Sequence, residues 1–214
     1  AGKAGMSEAL FKFTGACLGH RKGGVAMAAI GACAGFGAIC GSSLATAATM
    51  GKVALPELRR LGYSGALSTG TLAAGGTLGI LIPPSVILII YSILTEQNIA
   101  KMFLAAFIPG ILAALGYIFA IGLYVRFVKG SGPTKERVGW KERLSLFKNI
   151  WQIILIFLVM IGGIYLGWFT PTEGGAIGAG GAGLIAISNE NFKFSDLVDV
   201  IESTAITSAM IFLV

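Results

Sequence analysis

Long apolar runs, separated by short charged segments, constrain this chain more than any other feature of its sequence. Several of them approach or exceed the roughly 20 residues that an α-helix needs to cross the hydrocarbon core of a bilayer. The chain is 55% hydrophobic and only 12% charged, and its mean hydropathy is +0.83. A soluble domain has fewer apolar and more charged residues. We therefore expect an all-α polytopic membrane protein, with the lipid bilayer as its solvent.

The basic residues lie between the apolar runs, and they give a net charge of +6. They lack the aromatic interleaving and the recognition motifs of nucleic-acid-binding proteins, so we expect no nucleic-acid partner. The positive-inside rule explains them better. It places residues 126–149 in the cytoplasm, together with the clusters His20-Arg21-Lys22 and Arg59-Arg60. The basic residues of this cytoplasmic loop are Arg126, Lys129, Lys135, Arg137, Lys141, Arg143 and Lys148.

The first third of the chain has the pattern of a surface helix followed by a re-entrant hairpin. Residues 7–20 carry apolar side chains at helical spacing, which predicts an amphipathic helix along the membrane interface with Ser7 as its cap. The small-residue run Val25 to Cys40 is too short to cross comfortably and leads into Gly41-Ser42-Ser43. We expect it to form one arm of a hairpin, with Leu44 to Leu55 as the return arm.

The next apolar stretch, residues 63–95, is interrupted at Gly75-Gly76-Thr77, at Gly79 and at Pro83-Pro84-Ser85. Two successive prolines remove two backbone donors and crowd the preceding turn, so we expect a broken helix. Met102 to Phe127 predicts a span with a kink near Pro109. Further helices are expected at residues 150–169, 172–188 and 195–214.

The hairpin tip is the first candidate site, because Gly41, Ser42, Ser43 and Thr46 are small or hydroxylic residues in an apolar region. Freed carbonyls and hydroxyls at such a tip can enclose a monovalent cation, and the N-terminus of the returning helix can face an anion. The alternative is that the hydroxyls only bond back to the preceding turn in a tightly packed helix pair. The residues at the tip favour neither interpretation over the other.

The broken helix is the second candidate site. Non-helical backbone at membrane depth is tolerated only where it is buried in protein or lines a watery cavity, so a long break favours a binding site over a simple kink. Its candidate residues are Gly75, Gly76, Thr77, Gly79, Pro83, Pro84 and Ser85.

Glu173 is the main acidic candidate at the end of a span, but we expect it to cap a helix. It lies in the first turn of the predicted returning helix, with Thr170 or Thr172 as the cap and Pro171 at the bend. Cys33 and Cys40 lie inside an apolar run, which favours free buried thiols over a disulfide or metal site. No pattern typical of a catalytic triad, a phosphate loop or a metal-ligand cluster occurs, so we do not expect an enzyme or a cofactor.

Four stretches, in this order and spacing, resemble the large membrane subunit of tripartite ATP-independent periplasmic (TRAP) transporters, which is DctM-like and belongs to the ion transporter superfamily. They are LGHRKGGVA at 18–26, GSSLATAATMGKVALPELRRLGY at 41–63, GTLGILIPPS at 76–85 and FTPTEGGA at 169–176. The resemblance covers nearly the whole chain. The family commonly has Ser where Cys40 stands and alanines where Gly174 and Gly175 stand.

This resemblance implies a multi-pass, elevator-type secondary transporter of the bacterial inner membrane, built from two inverted repeats and driven by sodium. It implies import of a dicarboxylate or another organic acid, delivered by a periplasmic substrate-binding protein, and a small membrane subunit as scaffold. The broken helix would then face the hairpin tip, and the candidate residues named above would together build one sodium site and half of the carboxylate-substrate site. Na⁺ itself would be held at Ser43, Thr46, Gly76 and Thr77.

The resemblance also divides the chain into three parts. Residues 1–125 would be the end of the first repeat, with the interfacial arm helix, the re-entrant hairpin, the broken helix and the following span. Residues 126–149 would be the basic cytoplasmic loop, and residues 150–214 would be the truncated start of the second repeat. We therefore expect a fragment, with earlier helices before Ala1 and a second hairpin after Val214.

Two other classes of function compete with a coupled carrier. A passive channel needs a continuous polar pore lining, and these spans carry few polar residues outside the breaks. A non-transporting scaffold subunit has no need of two backbone interruptions at membrane depth. Both features favour the carrier.

Overall fold

A computed structural model describes residues 5–128, 130–188 and 194–213. Lys129, one of the predicted loop cations, lies outside the described residues, as do Ala1 and Val214. The described chain confirms the all-α prediction. Its helices are α1 (Met6–Leu18), α2 (Gly24–Cys40), α3 (Ser43–Arg60), α4 (Gly65–Leu81), α5 (Val86–Leu94), α6 (Ile99–Phe127), α7 (Trp140–Tyr165), α8 (Pro171–Ile187) and α9 (Phe194–Leu213).

Two helices, α6 and α7, are long and apolar enough to cross a membrane. The pair α4 and α5 forms a third candidate span, bent by 46° at the break between the two helices. Helix α2 is apolar but shorter than a span, as expected for one arm of a re-entrant hairpin. Helix α6 runs without interruption through Pro109, where a kink was predicted.

Helix α1 packs against α2 and α7. Its Leu10 and Phe11 are buried, in agreement with the predicted apolar face. Glycines of α2 let the two helices approach each other closely: a Cβ atom on Gly31 of α2 would lie 3.2 Å from Thr14 Cγ2 of α1. The predicted cap was wrong, because Gly5 is the N-cap of α1 and Ser7 is buried inside the helix.

The hairpin consists of α2 and α3, with its turn at Gly41 and Ser42. Gly41 has φ +64°, a left-handed conformation that favours glycine at a helix C-terminus. The return arm is longer than predicted, because α3 passes through Pro56 and ends at Arg60. Pro56 cannot bond the carbonyl of Lys52, but both residues are exposed, so the helix continues without leaving a buried carbonyl unpaired.

The predicted cytoplasmic loop is shorter than expected. Arg126 still belongs to the last turn of α6, and α7 begins at Trp140, so the second half of the predicted loop is helical. We call residues 131–135 the strap, because their backbone crosses the ends of α1, α3 and α6 at the basic side of the bundle. Its hydrogen bonds are Gly23 N to Gly132 O (3.1 Å), Ser64 N to Ser131 O (3.3 Å), Lys135 N to Gly19 O (2.9 Å) and Tyr63 Oη to Pro133 O (2.7 Å).

An ion pair completes the attachment of the strap. The Glu57 carboxylate lies 2.8 Å from Arg60 Nε and 3.4 Å from Lys135 Nζ. The hydrogen bond from Arg60, with a smaller contribution from Lys135, holds the pKa of Glu57 below its ordinary value. Glu57 therefore remains ionised, and its single negative charge is shared between these two cations at the basic side of the bundle.

Candidate functional site

The structure brings the hairpin tip into direct contact with the broken helix. The amide of Val86, at the start of α5, donates to the carbonyl of Gly41 at 3.3 Å. A Cβ atom on Gly41 would lie 2.7 Å from the carbonyl oxygen of Pro84. Two stretches some forty positions apart in the sequence therefore share one site.

Gly79 is the residue on which this contact depends. A Cβ atom there would lie 2.6 Å from the carbonyl oxygen of Ser42 and 2.6 Å from Thr46 Oγ1. The Ser42 oxygen is backbone and cannot move aside as a flexible side chain would. Only glycine lets α4 reach the tip at this distance.

Four helix ends meet at the site. Helix α3 begins at the tip, where Ser42 Oγ accepts from the Ala45 amide at 3.4 Å, and α5 begins at Ser85, whose Oγ accepts from the Leu88 amide at 3.5 Å. Helices α2 and α4 end there. The first amides and the last carbonyls of a helix lack partners within it and carry partial positive and negative charge. The site therefore offers donors for an anion and oxygen acceptors for a cation.

The polar side chains of the site differ in burial: Thr46 and Ser85 are buried, whereas Ser42 and Ser43 are half-buried. Thr46 is fully buried, and its hydroxyl donates to the carbonyl of Ser42 at 2.7 Å. This bond is the back-bonding that the sequence left open as an alternative. Because the hydroxyl has one hydrogen, its oxygen still has a lone pair for a further donor or a cation. Back-bonding and ion binding are thus compatible at Thr46.

Thr77 is placed differently from the other candidate residues. Its hydroxyl donates to the carbonyl of Ala74 at 2.7 Å and lies 3.0 Å from Tyr117 Oη on α6. Since the one hydrogen of Thr77 is used, Tyr117 is the donor between the two hydroxyls. The Thr77 side chain is therefore directed to α6, whereas Gly76 and Gly79 face the hairpin.

The break in the helix is shorter than the sequence predicted. Helix α4 continues through Gly75, Gly76 and Gly79 to Leu81, and only residues 82–85 are non-helical. The glycines serve close packing instead: a Cβ atom would lie 2.7 Å from Cys33 Sγ if placed on Gly75 and 2.7 Å from the Ala47 Cβ if placed on Gly76.

Sequence reasoning missed two glycines that position the site. A Cβ atom on Gly37 would lie 2.7 Å from the Gly79 Cα, and one on Gly110 would lie 3.0 Å from Ile82 Cγ1 beside the break. A signal for the first was present, because Gly37 and Gly41 are four residues apart, as are Gly75 and Gly79. That spacing is typical of close helix–helix contact in membranes.

Glu173 caps a helix, as predicted. Thr170 Oγ1 accepts from the Glu173 amide at 3.3 Å, and the Glu173 carboxylate accepts from the Thr170 amide at 2.6 Å. This reciprocal pair is a capping box at the start of α8, with Pro171 in the first turn. The carboxylate accepts bonds from both the amide and the hydroxyl of Thr170 through its Oε2 atom, as expected for a capping residue.

Comparison with known proteins gives one consistent result. The family model "Tripartite ATP-independent periplasmic transporter, DctM component" matches residues 1–214. The chain is 38% identical to the C4-dicarboxylate TRAP transporter large permease protein DctM of Pseudomonas aeruginosa, over 98% of the chain and 49% of that protein.

Two further relatives have other substrates in their names. The chain is 37% identical to the sialic acid TRAP transporter permease protein SiaT of Haemophilus influenzae, over 82% of the chain and 28% of that protein. It is 32% identical to the ectoine TRAP transporter large permease protein TeaC of Halomonas elongata, over 92% of the chain and 46% of that protein. The chain thus spans about half the length, or less, of these curated relatives.

Proposed function

Because the chain belongs to the family of the DctM component of tripartite ATP-independent periplasmic transporters, we propose that it forms part of the large permease subunit of a sodium-coupled TRAP transporter that imports an organic acid. The observation that carries this proposal is the contact between the hairpin tip and the broken helix, where two helices begin and two end. Such a point can hold a cation and an anion side by side.

The cation side of the proposal rests on oxygen atoms. Sodium is a hard ion that prefers oxygen ligands, and the tip presents the buried Thr46 hydroxyl next to the carbonyls of Ser42 and Ser43. Carbonyls at the C-termini of α2 and α4 add partial negative charge nearby. Ser43, Thr46 and the backbone at Gly76 are the proposed sodium ligands. Thr77 would have to exchange its bond with Tyr117 to join them.

The anion side rests on the helix N-termini. In the first turns of α3 and α5, the Ala45 and Leu88 amides are bonded to the caps Ser42 and Ser85, and the Val86 amide is bonded to Gly41. The first-turn amides proposed for the anion are therefore those of Ser43, Leu44 and Ile87. Amides at a helix N-terminus favour a carboxylate through both hydrogen bonding and the helix dipole. Among the three relatives described above, two have an acid in their names, a C4-dicarboxylate and sialic acid.

The cellular setting follows the family. We place the protein in the bacterial inner membrane, with a small TRAP membrane subunit and a periplasmic substrate-binding protein as partners. The contact of tip and break would belong to one repeat of an elevator-type carrier, and the opposing repeat would supply the rest of the substrate site.

A scaffold subunit or a passive channel explains the structure less well. Gly37, Gly41 and Gly79 bring the backbone of three helices together around a helix break, an arrangement that a scaffold does not need. The polar residues Ser42, Ser43, Thr46 and Ser85 are clustered where the hairpin tip meets the break, whereas a channel needs polar residues along a continuous path.

Uptake by the complete transporter distinguishes these three functions. The transporter is reconstituted into vesicles with its binding protein and a panel of labelled organic acids, under an inward sodium gradient or an equal potassium gradient. We expect accumulation above equilibrium for an acid with the sodium gradient only. Equilibration without accumulation would indicate a channel, and no flux of any acid would indicate a scaffold.

A further inference from the structure

A large cavity opens at the basic end of the bundle, away from the hairpin tip. Its volume is about 950 Å³, and its walls come from the α1–α2 connection, the α3–α4 turn, the end of α6 and the strap. Two of the residues that line it are cationic, Lys22 and Arg126, and no acidic residue is among them. The cavity therefore has a positive lining.

The positive charge of this cavity is not neutralised from within the described chain. The nearby acid Glu57 is engaged by Arg60 and Lys135. Among the residues that the structure describes, no acidic side chain forms an ion pair with Lys22 or Arg126. Both cations are exposed and available to a ligand.

The walls of the cavity are fixed by backbone bonds. Gly23 N donates to Gly132 O at 3.1 Å, and Ser64 N donates to Ser131 O at 3.3 Å. Tyr63 Oη donates to Pro133 O at 2.7 Å and accepts from Val25 N at 3.2 Å. The cavity is thus held in shape by hydrogen bonds, where the strap spans the ends of several helices.

The cavity lies at the end of a candidate membrane span. Arg126 is in the last turn of α6, a helix long and apolar enough to span. The neighbouring side chains are apolar or aromatic and turned outward: Phe127 is 82% exposed and Tyr124 is 39% exposed. Aromatic residues in such positions are typical of the headgroup level of a bilayer.

From these observations we propose that the cavity binds the headgroup of an anionic phospholipid. Lys22 and Arg126 contact the phosphate, the backbone at Gly62 and Gly132 shapes the floor, and the acyl chains run along the exposed apolar end of α6. Basic pockets between membrane helices on the cytoplasmic side bind anionic headgroups on this principle. A free phosphate ion shares the headgroup chemistry but lacks the acyl chains.

Lipid titration of the complete transporter tests this site. The protein is purified in neutral detergent and titrated with phosphatidylglycerol or with phosphatidylcholine of the same chains, and the melting temperature is followed. We expect phosphatidylglycerol alone to raise the melting temperature at low concentration. In the double variant K22Q/R126Q, the midpoint of this titration shifts to about 25-fold higher lipid, since each basic residue near the surface contributes about fivefold.

A matched variant and a soluble ligand complete the experiment. R59Q/R137Q removes two exposed cations of the same basic end that do not line the cavity, and it keeps the wild-type midpoint. If both double variants shifted the midpoint of the phosphatidylglycerol titration equally, the proposal would be overturned in favour of general attraction between the basic surface and the lipid. Equal stabilisation by glycerol phosphate would overturn it in favour of a free-phosphate site, and absence of any phosphatidylglycerol effect would overturn it outright.

Discussion

At the scale of single residues, glycine controls how closely the elements of the proposed transport site approach. Gly79 faces the carbonyl of Ser42 and the hydroxyl of Thr46, and Gly37 faces the backbone of Gly79 from the other arm of the hairpin. Between membrane helices the packing of small residues takes over much of the role that apolar burial has in water. The site therefore depends on glycine at these positions, because glycine has no Cβ atom to hold the backbones apart.

Replacement of Gly79 by Ala tests this role. The added Cβ meets backbone at 2.6 Å, so the tip must shift, and we expect the complete transporter to lose about 1–3 kcal/mol of stability and most of its uptake. Melting temperature and initial uptake rate measure both effects. A Cβ atom on Gly70 of the same helix would meet no atom within 4 Å. Gly70→Ala is therefore the control, and it should keep the wild-type melting temperature and initial uptake rate.

Glu173 gives a second prediction at this scale. Because glutamine can replace glutamate in a capping box, Glu173→Gln should leave the uptake rate and its pH dependence within about twofold of wild type. A proton or ion path through Glu173 would instead require the carboxylate, and uptake by the Gln variant would collapse. The pH profile of uptake separates the two roles.

At the scale of elements, the sequence predicted the order and the type of the helices well, because the apolar runs and the Gly, Pro and charged residues that end them are local signals. It placed the break too early, since glycines at 75, 76 and 79 resemble interruptions although they allow close packing inside α4. The partners that decide between these roles, such as Cys33 and Ala47, are distant in sequence. The end of α3 beyond Pro56 was missed because a proline on an exposed helix face does not stop the helix.

The strap was also beyond sequence reasoning, because its bonds join residues far apart along the chain. Tyr63 is its principal side-chain anchor, being buried and bonded to Pro133 O and Val25 N. Tyr63→Phe should destabilise the complete transporter by about 1–3 kcal/mol, because the buried Val25 amide and the half-buried Pro133 carbonyl lose their partner. It should also speed proteolysis after Lys135 and Arg137.

Tyr124→Phe is the matched control for this prediction. Tyr124 is 39% exposed near the end of α6, so removal of its hydroxyl buries no unpaired group. This variant should keep the wild-type melting temperature and cleavage rate. If Tyr63→Phe behaved in the same way, the strap would not depend on this anchor.

At the scale of the whole molecule, we propose that the described helices form one side of a transport site. The chain covers 49% of the DctM permease of Pseudomonas aeruginosa, and the proposed site has donors and acceptors from the hairpin and the broken helix only. The resemblance in the sequence pointed to both elements and to the family. It also implied that these elements face each other, which the structure confirms. The residues that make the contact, Gly41, Gly79 and Val86, could be identified only from the structure, since they depend on how the arms of the hairpin lie against α4 and α5.

We propose that the buried Thr46 hydroxyl at the hairpin tip binds the coupling ion, and the sodium dependence of uptake tests this most directly. Thr46→Val keeps the shape of the side chain and removes the proposed ligand, while Thr49→Val makes the same change one turn further along α3. We predict that Thr46→Val raises the sodium concentration for half-maximal uptake by about tenfold or more, a loss of about 1.4 kcal/mol of ion binding, and that Thr49→Val does not. A wild-type sodium curve for Thr46→Val in the complete transporter would contradict the account.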